Sequence, residues 1–144
     1  MTISIGSDHA GFDCKEFIKK AATASGKYQL TDAGTYSADS VDYPDFAHPT
    51  PSFVENGEAA FGILLCGSAN GVAMTANKHQ HIRAAICWEN DVAAIVRKHN
   101  NANIICLPAR FVALPLALEM IETFMNTAFE GGRHERRVDK MPCM

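Results

Sequence analysis

Hydrophobic and polar positions along this chain alternate between two periods, and the places where the period changes mark out its elements. Short β-prone apolar runs at 2–6, 28–32, 61–65, 83–87 and 103–107 predict five strands. Between them the spacing turns helical. After Phe12, apolar residues recur at i, i+3, i+4 and i+7 (Cys14, Phe17, Ile18, Ala21), and Gly26 supplies a stop. Residues 89–98 carry Val92, Ala93, Ile95 and Val96, and 112–129 carry Leu116, Met120, Ile121 and Phe124 in helical step. Residues 72–78 read as the first turns of a further helix. Pro44 can open one running through Phe53 toward Asn56-Gly57, broken or delayed by Pro49 and Pro51. Glu130-Gly131-Gly132 ends the long helix, and 133–138 predicts a short basic one. Strands alternating with helices predict a layered α/β fold around a parallel sheet.

In such sheets ligands gather beyond the carboxyl ends of the strands. Asp8-His9 follows the first strand, Cys66 to Gly71 the third, and Pro108 to Arg110 the fifth. The third of these strands is the most informative. Its apolar run gives way to Cys66-Gly67-Ser68-Ala69-Asn70-Gly71, small residues almost throughout, and then to helix. A strand feeding such a loop into a helix points backbone N–H groups at one spot, where the helix dipole favours negative charge. The same field stabilises a thiolate at the mouth of the loop. The loop alone also fits a plainer role for Cys66, a small buried residue closing a core strand. Its spacing is not that of a Walker A loop.

Composition narrows the class. With 144 residues the expectation is one domain, 1–144, able to bury a sizeable core. A formal net charge of −3 argues against a nucleic-acid or anionic-membrane binder. No apolar run approaches the ~18 residues of a membrane span, and the N-terminus lacks the layout of a signal peptide. Five cysteines, widely spaced and without a C-x-x-C pair, predict reduced thiols in a cytoplasmic protein rather than disulfides or a zinc site.

Taken together, Gly6-Ser7-Asp8-His9-Ala10-Gly11, Asp42-Tyr43-Pro44, Cys66-Gly67-Ser68, Ala76-Asn77-Lys78, Ile82-Arg83-Ala84, His99-Asn100 and Glu130-Gly131-Gly132-Arg133-His134 resemble ribose-5-phosphate isomerase type B. Its relatives are the allose-6-phosphate and galactose-6-phosphate isomerases. Each motif is weak alone; in order along nearly the whole chain they are specific. The resemblance implies a flavodoxin-like (Rossmann-like) α/β fold, a five-stranded parallel sheet with helices on both faces. It also implies an aldose–ketose isomerase working through a cis-enediolate, with no metal and no cofactor.

Carried over by position, Cys66 is the base for the C2 proton and Ser68 assists it. Gly67, Ala69, Asn70 and Gly71 belong to the loop whose N–H groups hold the enediolate oxygen. His99 opens the furanose ring, with Asn100 beside it and Asp8 in the sugar site. His9, Arg133 and Arg137 bind the phosphate, with Arg110 in support. The family places parts of one site on two subunits, which implies a homodimer or homotetramer. The basic helix at about 130–140 is then expected at the subunit interface.

The general chemistry agrees. Removing a proton beside a carbonyl needs a base, which contributes about 10²–10⁴-fold. It also needs preorganised donors for the developing oxyanion, worth ~3–4 kcal/mol each. Two positions depart from the family pattern. Ala69-Asn70 stands where the family commonly has Gly followed by an apolar residue, and Pro108 stands where it often has Gly. If position 69 requires positive φ, its alanine is strained there. A second branch of the family uses a glutamate on the following helix as base, but position 75 here is Thr.

Structural roles compete with several of these assignments. His9 can be satisfied by local backbone at a helix start, and His99 can answer a helix dipole. Arg133 and Arg137 lie one turn apart and can converge on one anion, whereas Arg136 points elsewhere as surface charge. His48, His79, His81 and His134 show no metal-site pattern and read as exposed or structural. Cys14, Cys87, Cys106 and Cys143 read as inert. The rival functions are a six-carbon sugar-phosphate isomerase and a non-catalytic phosphate-binding module of the same fold.

Overall fold

The computed structural model describes residues 1–143; Met144, the last position of the expected domain, lies outside them. Five strands, β1 (Thr2–Ser7), β2 (Gln29–Asp32), β3 (Phe61–Cys66), β4 (Ala84–Ile86) and β5 (Ile104–Pro108), form one all-parallel sheet in the order β2-β1-β3-β5-β4. The last two places are exchanged relative to the flavodoxin order 2-1-3-4-5. That exchange puts β5 inside the sheet and leaves the short β4 at the edge.

The helices are α1 (Phe12–Ser25), α2 (Tyr43–Ala47), α3 (Pro49–Glu55), α4 (Asn70–Ala76), α5 (Asn90–Lys98), α6 (Leu114–Asn126) and α7 (Arg133–Asp139). Two boundaries move from expectation for reasons the proline rules supply. The helix foreseen from Pro44 is two helices divided at His48, because each begins with a proline in its first turn and Pro49 starts the second. The long helix begins at Leu114 rather than 112, since Pro115 sits in its first turn and Ala113 is the extended cap. It ends at Asn126, before an extended Thr127.

Alternation along the central strands separates two cores. Ile3, Ile5, Ile63, Leu65, Ile105 and Leu107 face one layer, where they meet Cys14 and Ile18 of α1, Ala93 of α5, and Ala117, Met120, Ile121 and Phe124 of α6. Leu64, Cys66, Ile104 and Cys106 face the other, against Ala47 of α2 and Val72, Ala73 and Ala76 of α4. Period-2 side chains covered on both sides are what an all-parallel sheet requires. No helix among the described residues is long and apolar enough to cross a membrane.

Candidate active site

The chain leaves β1 toward β2 on one side and returns to β3 on the other, so a crevice opens between the carboxyl ends of β1 and β3. Asp8 begins at that end. Its N–H donates to the Leu65 carbonyl at 3.2 Å, and its carboxylate caps the following 3-10 turn by accepting the Gly11 N–H at 3.0 Å. A side chain at Gly11 would stand 2.7 to 2.9 Å from Leu65, so the glycine is what lets this turn press against the end of β3. His9 is fixed from the far side by the Val41 N–H, which donates to Nδ1 at 3.2 Å and leaves Nε2 to carry the ring proton.

Cys66 ends β3 with only 5% of its surface exposed. After it the chain turns through Ala69 at φ 67° and enters α4. The positive φ that glycine adopts freely is therefore carried by an alanine with a fully buried methyl. Ser68 Oγ accepts from the Asn70 N–H (3.3 Å) and Nδ2 (3.2 Å). The N–H groups of Ser68, Ala69, Gly71 and Val72 find no acceptor among the described residues, as first-turn donors of a helix do not. From the end of β5, Ala109 and Arg110 donate backbone N–H groups to the carbonyls of Cys66 (2.9 Å) and Gly67 (3.1 Å). Those two bonds lay the Arg110 side chain against Gly67. Tyr43, at the start of α2, closes the wall by packing on Gly71, where a methyl would meet its ring at 2.6 Å.

The result is a cleft of about 410 Å³ lined by Asp8, His9, Cys66, Gly67, Ser68, Gly71 and Arg110, together with Ala10, Tyr43 and Phe111. Two loop residues expected at the substrate do not present side chains to it. Ala69 points into the core, and Asn70 lines a different depression with Met74, Asn77, Lys78 and Ile86.

The remaining expected residues sit elsewhere. His99, Asn100, Arg133 and Arg137 line a second groove of about 360 Å³ with His134 and Met141, and this groove shares no lining residue with the first. The separation follows from helix direction. α5 runs back against the parallel strands, so its C-cap His99 arrives at the end of the sheet where β5 begins, while Cys66 pairs with Pro108 where β5 finishes. The four rises of ~3.3 Å between Ile104 and Pro108 put those ends about 13 Å apart within one chain. Arg136 lies outside the groove, as its phase on α7 requires.

His134, read from sequence as exposed or structural, proves to be part of this second cluster. Its ring stacks on His99 with centroids 4.2 Å apart and planes 13° from parallel, and Glu130 Oε1 stands 3.5 Å from His99 Nε2. Partial burial, the neighbouring His99 and Arg133 together hold His134 below its ordinary pKa. The ligating atoms of His99, Glu130 and His134 lie within 4.8 Å of one another. Near-parallel stacked imidazoles cannot both aim a ring lone pair at one ion, however, and two arginines share the groove, so the arrangement suits an anion better than a cation. His134 belongs to a family-like motif, but its task was not legible there because its partner, His99, comes from α5. His48 and His79 also meet, Nδ1 to Nε2 at 2.8 Å, and Glu55 accepts from His79 Nδ1 at 3.0 Å.

Burial pushes Cys14 up to about 11 and Cys87 up to about 12, and it raises the fully enclosed Cys106 well above the ordinary range.

The model of the Ribose/Galactose Isomerase family matches residues 3–141. The chain belongs to that family. The ribose-5-phosphate isomerase B of Escherichia coli K12 is 37% identical over 142 residues, covering 99% of this chain and 95% of that protein. Among solved structures, a ribose 5-phosphate isomerase from Thermotoga maritima superposes with a TM-score of 0.96 at 47% identity, covering 98% of this chain and 97% of that one. The ribose-5-phosphate isomerase B of Mycoplasma genitalium, solved with bound ribulose-5-phosphate, does so with 0.91 at 39% identity over 97% and 93%. Family membership extends over both the cleft and the groove, since both lie within the matched residues.

Proposed function

We propose that this chain interconverts ribose 5-phosphate and ribulose 5-phosphate, as the relatives named for that reaction do. The observation that carries the mechanism is the convergence at one strand end of a thiol, a hydroxyl and unpaired loop N–H groups. Cys66 takes the proton from C2 of the open-chain aldose. The electron pair moves toward C1, and the charge that develops on its oxygen is held by the N–H groups of the loop from Gly67 to Gly71. Returning the proton to C1, with the O2 proton passing to O1 beside Ser68, completes the ketose. Such a site needs no redox partner, because one carbon is oxidised as its neighbour is reduced within the same molecule.

His99 opens the furanose ring, and Arg133 and Arg137, with His9 and Arg110, hold the phosphate. One chain keeps these groups at opposite ends of its sheet, so the working site is built from two copies, the cleft of one facing the groove of the other. This supports a homodimer or homotetramer of single-domain chains, with α7 at the interface. The cytoplasm, where free sugar phosphates occur, is the compartment that suits the substrate.

The test is turnover of the purified protein on ribose 5-phosphate and on allose 6-phosphate, each beside Cys66→Ala. Cysteine-dependent turnover that favours the pentose is the expected result. Preference for the hexose would keep the mechanism and change the substrate. Binding of both sugars without turnover of either would reduce the site to a phosphate-binding module. Near-wild-type rates in Cys66→Ala would remove that residue as the base.

A further inference from the structure

The groove holds an arrangement that phosphate binding does not account for. His99 caps α5, a place where a half-exposed imidazole ordinarily rotates freely about both side-chain torsions. Here it is held on two sides. Glu130 faces its Nε2 edge at 3.5 Å, and His134 covers one ring face at a centroid distance of 4.2 Å.

Glu130 lies in the short segment between α6 and α7 and His134 in the first turn of α7, and that segment is fastened to the end of α5 itself. The Glu130 N–H donates to the Lys98 carbonyl at 3.0 Å, one residue before His99. Gly131 and Gly132, at φ 69° and 57°, then reverse the chain, and the His134 N–H closes the turn on the Gly131 carbonyl at 3.1 Å. Backbone and side chains of the segment thus converge on one imidazole. The arrangement adds little to stability. With 38% of the His99 side chain and 48% of the Glu130 side chain exposed, solvent screens their contact. What it does supply is a fixed ring plane, with a carboxylate standing beside the Nε2 edge.

We infer that His134, with Glu130 behind it, is a positioning residue that locks the His99 imidazole in the orientation needed to move protons during ring opening. The inference rests on the role given to His99 above. His134 acts through His99 and touches no reacting atom. A planar ring without titratable nitrogen therefore serves in its place.

The experiment measures kcat and KM on ribose 5-phosphate for His134→Ala, His134→Phe, His99→Ala and the double variant His99→Ala/His134→Ala. Circular dichroism and thermal melts serve as the check on folding. His134→Ala is expected to lower kcat about tenfold, part of the ~10²–10⁴ that a placed acid–base group contributes, with KM within about twofold of wild type. His134→Phe should recover most of that loss. Removing His134 in the His99→Ala background should cost nothing further, because two residues acting as one unit are not additive.

Wild-type kcat in His134→Ala, a change confined to KM, a His134→Phe as slow as His134→Ala, or a full further loss in the double variant would each overturn the inference. His99→Ala at the wild-type rate would instead bring down the role assigned to His99, and this inference with it. A slow His99→Ala beside an unaffected His134→Ala would remove only the positioning role.

Discussion

Lys15 is the most deeply buried charge among the described residues, and replacing its partner tests how the loop behind the cleft is held. Its side chain is 0% exposed, and its ammonium lies 2.7 Å from each oxygen of Asp32, between the rings of Phe12 and Tyr36 at 5.4 and 5.6 Å. Asp32 also accepts from Lys19 at 2.7 Å and from the Gly34 N–H at 2.9 Å. That last bond matters to the site. The Ser7 N–H donates to the Gly34 carbonyl and the Thr35 N–H to the Ser7 carbonyl, so the turn after β2 braces the end of β1 just before Asp8.

Asp32→Asn keeps the shape and removes the charge. Glu16, which accepts from the same ammonium at 3.5 Å, is then its one remaining carboxylate among the described residues, and it is more exposed and farther away than Asp32. Breaking a buried pair from one side costs about 3–5 kcal/mol. An unfolding entropy of ~2.1 cal/mol/K per residue gives about 0.3 kcal/mol/K for 144 residues, so Tm should fall by about 10–17 °C. pH supplies the control. Burial alone would raise the Asp32 carboxyl, but the bonds from Lys15, Lys19 and Gly34 outweigh it and leave the group below the usual carboxylate range. A depressed folded-state value stabilises the fold above the unfolded pKa of ~3.9, and that stability is lost as pH falls through the lower, folded value. Urea unfolding at pH 7 and near pH 3 should therefore show a large gap between wild type and Asp32→Asn that narrows in acid. A gap under about 1 kcal/mol at pH 7, or one independent of pH, would refute the reasoning.

Three further outcomes can be checked with standard assays. Gly71→Ala should leave the melting curve nearly unchanged yet displace the half-exposed Tyr43 from the cleft wall. Turnover should fall by up to about 10²-fold, the scale of a ~1 Å misplacement, and Tyr43→Ala should be no worse in its presence. Wild-type turnover in Gly71→Ala would show that this wall does not shape the site. Arg137→Ala removes a charged contact worth about 1.5–3 kcal/mol, so KM should rise about 10- to 10²-fold with kcat little changed, and an unaltered KM would exclude Arg137 from the phosphate site. Brief iodoacetamide treatment of the folded protein at pH 8, followed by peptide mass spectrometry, should leave Cys14, Cys87 and Cys106 unmodified, because burial keeps all three protonated. Early alkylation of any of them would contradict their placement in the core.

Much of this protein was legible in the order of its residues. Period-2 runs and helical spacing are local properties, so five strands could be placed within a residue or two; proline chemistry accounts for the divided helix at His48 and the later start of α6, while α6 ends at Asn126, three residues before the expected Phe129. The Asp8-His9 and Cys66–Gly71 loops were legible as a pair because a parallel sheet puts both carboxyl ends on one side. A positive φ at Ala69 was raised only as a condition, by comparison with the family's glycine at that place, and the backbone meets it at φ 67°. Strand order was not, since the exchange of β4 and β5 depends on which edge buries more, a sum over the whole sheet. Nor was the division of the site into a cleft and a distant groove. Sequence proximity places His99 after a helix, but the direction in which that helix returns along the sheet decides which end His99 reaches. His134 makes the same point on a smaller scale. Its own helix gives it no task, and only the docking of the Glu130 backbone on α5 brings its ring onto His99. Periodicity reports which face of an element is buried, whereas contacts between distant elements follow from packing, which no local window contains.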